Sequence, residues 1–225
     1  MIINNENIPL SQKCYSGIKE SILNGTFLPG QKLLMANLCE LYKVANTPIR
    51  EALTRLTSEG LVKAEDNKGF RVAKLSEIEI RDLITSFSEL ELLLIRKSML
   101  AGDELWEAEI LKNLHLLKLV EDTNEKVTYD IWVERNRNFH LALVAGYNSP
   151  CLIKIRSELM QQIERYDRLM FNLNKQPLKA NHEEHREIAF TTIKRKIDEV
   201  SKLITYHFTG GLDTFIKDLK QNNLV

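Results

Sequence analysis

The sequence predicts a mainly α protein, an N-terminal winged helix-turn-helix followed by an all-α antiparallel helical bundle. Three observations predict it. Residues 34–72 hold two short amphipathic stretches and then a hairpin pattern. From Ser76 onward apolar residues recur at helical spacing with no credible strand between them. The 225 residues suffice for two hydrophobic cores. The domain boundaries are expected at 1–74 and 75–225.

The first helix is predicted over Leu10–Asn24, with Tyr15, Ile18 and Ile22 on its buried face and a stop at Asn24-Gly25. Gly25 to Gly30 then forms a tight connection with two glycines and Pro29. The next helix repeats apolar residues at Leu34, Leu38 and Leu41, and the following one at Ile49, Ala52, Leu53 and Leu56. Between them Thr47-Pro48 offers an N-cap oxygen and then a proline at the first helical position. Gly60 ends that helix. A hairpin follows, Leu61–Glu65 and Phe70–Ala73, turning at Asp66-Asn67-Lys68-Gly69, where Gly69 can take a positive φ. A short outward helix beside a basic hairpin suits a DNA groove. A three-helix core without a ligand is the alternative, but Thr47, Arg50, Thr54 and Lys68 form a polar-cationic set with no core to serve.

Residues 10–74 resemble the DNA-binding domain of the GntR transcription factors. The residues that carry this are Gly25, Leu28-Pro29-Gly30, Leu33, Leu38, Thr47-Pro48-Ile49-Arg50-Glu51-Ala52-Leu53, Leu56, Glu59-Gly60-Leu61-Val62 and Gly69. The resemblance implies a dimer on a palindromic operator, with the Thr47–Ser58 helix in the major groove and the hairpin tip, Lys68 and Gly69, near the minor groove. Asn46, Thr47, Arg50 and Thr54 are the expected groove residues. Where most members carry an arginine before the Thr-Pro pair, this chain has Asn46. Arginine prefers guanine and asparagine prefers adenine, so the operator sequence is expected to differ.

Composition excludes several classes. Residues 1–74 carry ten Lys and Arg against seven Asp and Glu, net +3, and the remainder carries 21 against 24, net −3. Phosphate contact is thus expected at one end only. Cys14, Cys39 and Cys151 are odd in number and widely spaced, as reduced thiols of a cytoplasmic protein. No CxxC pair, signal-peptide pattern or apolar run of 18 residues occurs, so neither export nor a membrane is expected. Nor is there a phosphate-cradling glycine motif or nucleophile elbow.

The second domain reads as helices over roughly 76–101, 103–122, 127–146, 149–174, 179–196 and 198–220. Ser76-x-x-Glu79 is a capping box with Leu75 and Ile80 as its hydrophobic staple. Asn136 and His140 share one face of a helix. His185 and His207 would lie about 33 Å apart on a continuous helix, but Lys196-Ile197-Asp198 breaks the apolar period. If the chain folds back there, the two histidines face each other, and Asn136, His140, His185 and His207 can meet in one pocket. Three imidazoles and an oxygen suit zinc first, with nickel or manganese as alternatives. Taken alone, a helical histidine is usually a satisfied core or surface residue, and the spacing by itself makes a weak case for a metal.

Residues 76–220 resemble the helical effector domain of the FCD branch of GntR regulators, and six helices point to its VanR-like subgroup. Many members carry Asp or Asn, then His four residues on, and two later histidines about twenty-two apart, together binding a divalent metal. Asn136-x-x-Phe139-His140, His185 and His207 match that pattern. His115 and His182 lie outside it. His182 is either a neighbour of the site or, more in keeping with its helix, part of a solvated face. Arg156, Arg165 and Arg168 are candidates to bind a carboxylate effector bidentately, or else they pair on the surface with Glu158, Glu164 and Asp167. The expected protein is a cytoplasmic homodimeric repressor that binds a divalent metal and a small carboxylate metabolite, and is not an enzyme. A constitutive DNA binder and a metalloenzyme fused to a DNA-binding domain are the rival readings.

Overall fold

The computed structural model describes residues 8–65, 68–122, 128–174, 182–222 and 224–225. The expected hairpin turn at Asp66-Asn67 and the expected helix starts at 127 and 179–181 lie outside these. The first domain runs α1 (Leu10–Leu23), β1 (Lys32–Leu33), α2 (Met35–Tyr42), α3 (Asn46–Ser58), β2 (Val62–Glu65) and β3 (Gly69–Val72). Ile18, Ile22, Leu38, Ile49, Leu53 and Leu56 meet in its core. The strands form an antiparallel sheet in the order β1-β3-β2, with Val62 opposite Val72 and Glu65 opposite Gly69. Gly69 has φ +89°, the conformation that the turn requires.

Three local expectations are corrected. Strand β1 was not foreseen, because two residues carry no period and only their pairing with Phe70 and Arg71 makes them a strand. On α2 only Leu38 is buried, while Leu34 and Leu41 are 48% and 61% exposed. The packed stripe is Met35, Leu38, Cys39 and Tyr42, also at helical spacing. Helix α3 starts two residues before the expected Pro48: Ala45 is its N-cap, with no side-chain hydrogen bond, and Thr47 does not cap it. Pro48 is third in the helix, still in the first turn, where N–H groups have no intrahelical partner.

The second domain contains α4 (Glu77–Ala101), α5 (Glu104–Glu121), α6 (Tyr129–Val144), α7 (Pro150–Asn174), α8 (His182–Ile193), α9 (Ile197–Thr209) and α10 (Leu212–Gln221). The described helices therefore number seven rather than six. The span expected as 198–220 divides at Gly210-Gly211, two residues that each cost a helix about 1 kcal/mol relative to alanine. The capping box is half formed. The Glu79 N–H donates to Ser76 Oγ at 3.4 Å, but the Glu79 carboxylate accepts from Tyr166 of α7 at 2.8 Å. Asp103 caps α5 and Thr128 caps α6. Between α8 and α9 the chain folds back, with Arg195 at φ +55°. One apolar core joins Leu94, Ile95, Ile110, Phe139, Ile188 and Ile204, and a second joins Ile80, Phe87, Tyr166 and Ile216.

Helix α7 also meets the first domain. Arg165 donates to the carbonyl oxygen of Ala73, just beyond β3. Lys19 of α1 donates to Gln161 at 3.3 Å.

Candidate nucleic-acid interface and metal centre

Helix α3 buries Ile49, Ala52, Leu53 and Leu56, and this turns Asn46, Thr47, Arg50 and Thr54 outward, where all four are exposed. Arg50 makes no hydrogen bond or ion pair among the described residues. Its neighbour Arg55 is occupied: its guanidinium stacks over Tyr15 at 3.7 Å and donates to Gln12 at 2.8 Å. Lys68 and Gly69 lie exposed at the wing. The Cys39 thiol donates to Asn46 Oδ1 at 3.2 Å. The surface so formed is a polar, partly cationic helix face beside a hairpin.

The second site lies inside the helical domain. His140 comes from α6, His185 from α8 and His207 from α9, and one ring nitrogen of each falls within 4.8 Å of the other two. Two nitrogens on one ion at 2.0–2.1 Å stand roughly 3.0–3.4 Å apart, so the rings need only a small inward movement to share one. Nε2 of His140 and of His185, and the buried oxygen of Asn136 one turn before His140, lack a hydrogen-bond partner. Orphaned buried polar atoms are costly, and a cation accepting their lone pairs removes that cost. Burial, with the neighbouring rings, holds the His207 imidazole well below its usual range. Burial also pulls His140 down, against the carboxylate of Glu91. Both rings are thereby kept neutral, the form that ligates a metal.

Behind each ring stands a carboxylate. His140 Nδ1 is 3.4 Å from Glu91, His185 Nδ1 is 3.1 Å from Glu121, and His207 Nδ1 is 3.1 Å from Glu184. Such partners fix the ring orientation and leave Nε2 free to ligate. Neither Glu91 nor Glu121 was picked out from sequence. Glu91 does occupy an apolar stripe, four residues after Phe87 and three before Leu94, and Glu121 follows Leu114 and Leu117 in the same way. A carboxylate at a core position was the available signal.

The three arginines do not converge. Arg156 is 1% exposed and bonds Glu91 bidentately at 2.5 and 2.9 Å. Burial would raise the Glu91 carboxyl, yet Arg156 and His140 hold it below its usual range. Arg165 turns to Ala73, and Arg168 pairs with Asp130 at 2.5 Å. Asp130 stands ten residues before His140, about 15 Å along α6. Nine residues on a helix make two and a half turns, so Arg156 and Arg165 occupy opposite faces. The expected arginine clamp is therefore corrected, as are the surface pairs with Glu158, Glu164 and Asp167. His182 is corrected too: it is only 16% exposed, with Nδ1 3.6 Å from Glu121, so it neighbours the site. His115 is exposed.

A helix-turn-helix with a wing, joined to a helical domain that holds a histidine cluster, defines the class of a DNA-binding transcription regulator. Residues 10–72 match the bacterial regulatory proteins of the gntR family, and residues 82–210 match the FCD domain. The transcriptional repressor GlaR of Escherichia coli (strain K12) is 33% identical over 198 residues, 86% of this chain and 90% of that protein. The uncharacterised regulator BphR of Paraburkholderia xenovorans (strain LB400) is 29% identical over 206 residues, 90% and 84% of the two chains. In fold, the chain is similar to E. coli McbR/YncC, with a TM-score of 0.71 at 19% identity over 93% of this chain and 98% of that one. This chain belongs to the GntR family of bacterial transcription regulators, with an FCD effector domain. Its families and relatives are regulators rather than enzymes. Among the described residues no helix is long and apolar enough to cross a membrane.

Proposed function

We propose that the chain is a cytoplasmic, homodimeric, metabolite-responsive repressor whose helical domain holds a divalent metal and, on it, a small organic acid. The observation that carries this reading is the meeting of three imidazoles, with the buried, unpartnered oxygen of Asn136 one turn before His140 supporting it. His140, His185, His207 and Asn136 would hold the ion, zinc first, with nickel or manganese as alternatives. When bound, the ion supplies a positive charge with open positions for a carboxylate. Asn46, Thr47, Arg50 and Thr54 would read the major groove of a palindromic operator, with Lys68 and Gly69 on the wing beside it. Repression is supported by GlaR, a repressor by name. The acid must bind the DNA-competent and DNA-incompetent states unequally, since only a difference in affinity shifts their balance.

Native mass spectrometry of the purified protein, paired with operator gel shifts across a panel of organic acids, tests this. The expected result is a dimer with one metal per chain and operator release by one class of acid. A metal-free protein whose operator binding ignores every acid would leave a constitutive binder instead.

A further inference from the structure

The three carboxylates behind the histidines are not equivalent. Glu91 is matched by the bidentate Arg156 guanidinium. Glu184 is 35% exposed, so solvent screens it. Glu121 has neither form of compensation. Its side chain is fully buried, and its two oxygens face only imidazole nitrogens, His185 Nδ1 at 3.1 Å and His182 Nδ1 at 3.6 Å. No lysine or arginine among the described residues forms an ion pair with it. A buried carboxylate with no cation opposite is strongly unfavourable, unless a positive charge arrives from elsewhere. The place one can arrive is the far side of the His185 ring.

We propose that Glu121 supplies, through His185, the negative charge that the neutral amide of Asn136 cannot give the metal. This rests on the metal-centre reading above. A divalent ion on three neutral imidazoles and an amide keeps both of its charges. An aspartate at position 136 would remove one of them, and Glu121, one imidazole further out, removes one in the same way. Its pull on the Nδ1 proton also makes the opposite nitrogen of His185 a stronger donor. One positive charge then remains for a carboxylate effector to meet. His182 Nδ1 lies 3.6 Å from the second oxygen of Glu121, too far for a hydrogen bond.

The test titrates metal-stripped protein with zinc against a chromophoric chelator and follows the unfolding of the metal-free form alongside. Glu121→Gln is isosteric and uncharged. It is expected to lower zinc affinity about 10–100-fold, the usual cost of losing such a partner. The same variant, without metal, is expected to be at least as stable as the natural protein, because an uncompensated buried charge has gone. Adding Asn136→Asp to Glu121→Gln is expected to recover most of the lost affinity. Unchanged zinc affinity in Glu121→Gln, no recovery in the double variant, or a metal-free Glu121→Gln that is less stable or unfolded would each overturn the proposal. The last outcome would make Glu121 a structural partner of His182. If the natural protein itself takes up no stoichiometric metal, the metal-centre reading fails rather than the role of Glu121 within it.

Discussion

The two domains of this chain treat buried polarity in opposite ways. Among the described residues, the core of the first domain is entirely apolar, built on Ile18, Ile49, Leu53 and Leu56. Among the described residues, every buried polar or charged one lies beyond residue 75, including Glu91, Arg156, His140 and His185. The first domain is complete as folded and acts through its surface. The second leaves buried groups without hydrogen bonds, among them His140 Nε2, His185 Nε2 and Asn136 Oδ1, each unsatisfied group costing about 1–3 kcal/mol. A domain with such debts is finished by what it binds, so ligands should be felt in one half of the molecule and not in the other.

Breaking the buried pair should expose this contrast most strongly. Arg156→Met leaves Glu91 charged and unpaired at the centre of the bundle, at an expected cost of about 3–5 kcal/mol. Denaturant unfolding followed by the two tryptophans, Trp106 and Trp132, both in the helical domain, reports it. A loss under 1 kcal/mol would mean that water reaches the pair. Next in size is the metal. Zinc at a hundred times its dissociation constant should stabilise the helical domain by about 2.7 kcal/mol, and His140→Ala should abolish the increment in calorimetry. A shift that survives His140→Ala would place the ion elsewhere.

On the other side of the comparison, Arg50→Ala should cost about 1–3 kcal/mol in discrimination at one base position per half-site. In-vitro selection would show this, and uniform weakening on every sequence would make Arg50 a phosphate contact instead. Acid should separate the domains again, because all five histidines lie in the second. Burial holds His140 and His207 below the ordinary imidazole value of 6.5. Their contribution is fully present above that value. It is lost as pH falls, since the unfolded chain takes up protons that the folded rings refuse. Each such ring removes about 1.4 kcal/mol per pH unit below 6.5, down to its folded value. Metal-free protein unfolded at pH 7 and pH 5.5 checks the sign. The smallest effect concerns Lys68, where Lys68→Ala should lower the salt slope of operator binding by about one unit.

The same contrast explains what was legible in the sequence. Helices α1 and α3 and the hairpin follow from local period and turn chemistry, so they stood open to reading. Strand β1 did not, because only its partner strand makes it one. The face of α2 was misassigned because Leu34 is apolar yet sits at the N-cap, outside the helix proper. In the second domain the fold-back before α9, and with it the approach of His185 to His207, follows from a broken period at residues 196–198. Which partner stands behind each histidine does not, since Glu91 and Glu121 reach theirs from other helices. The arginines were within reach of arithmetic: nine residues along one helix point Arg156 and Arg165 apart.

Arg165 grips the main-chain oxygen of Ala73, not a side chain. Every amino acid at position 73 offers that same oxygen, so no point substitution there deletes the acceptor. Nor does it depend on the identities of Asn46, Thr47, Arg50 or Thr54. That hydrogen bond is therefore indifferent to which side chains α3 presents, unlike the second crossing contact, Lys19 to Gln161, which needs both of its side chains. Substitutions on the exposed face of α3, or exchange of the whole first domain at this seam, leave that main-chain acceptor in place.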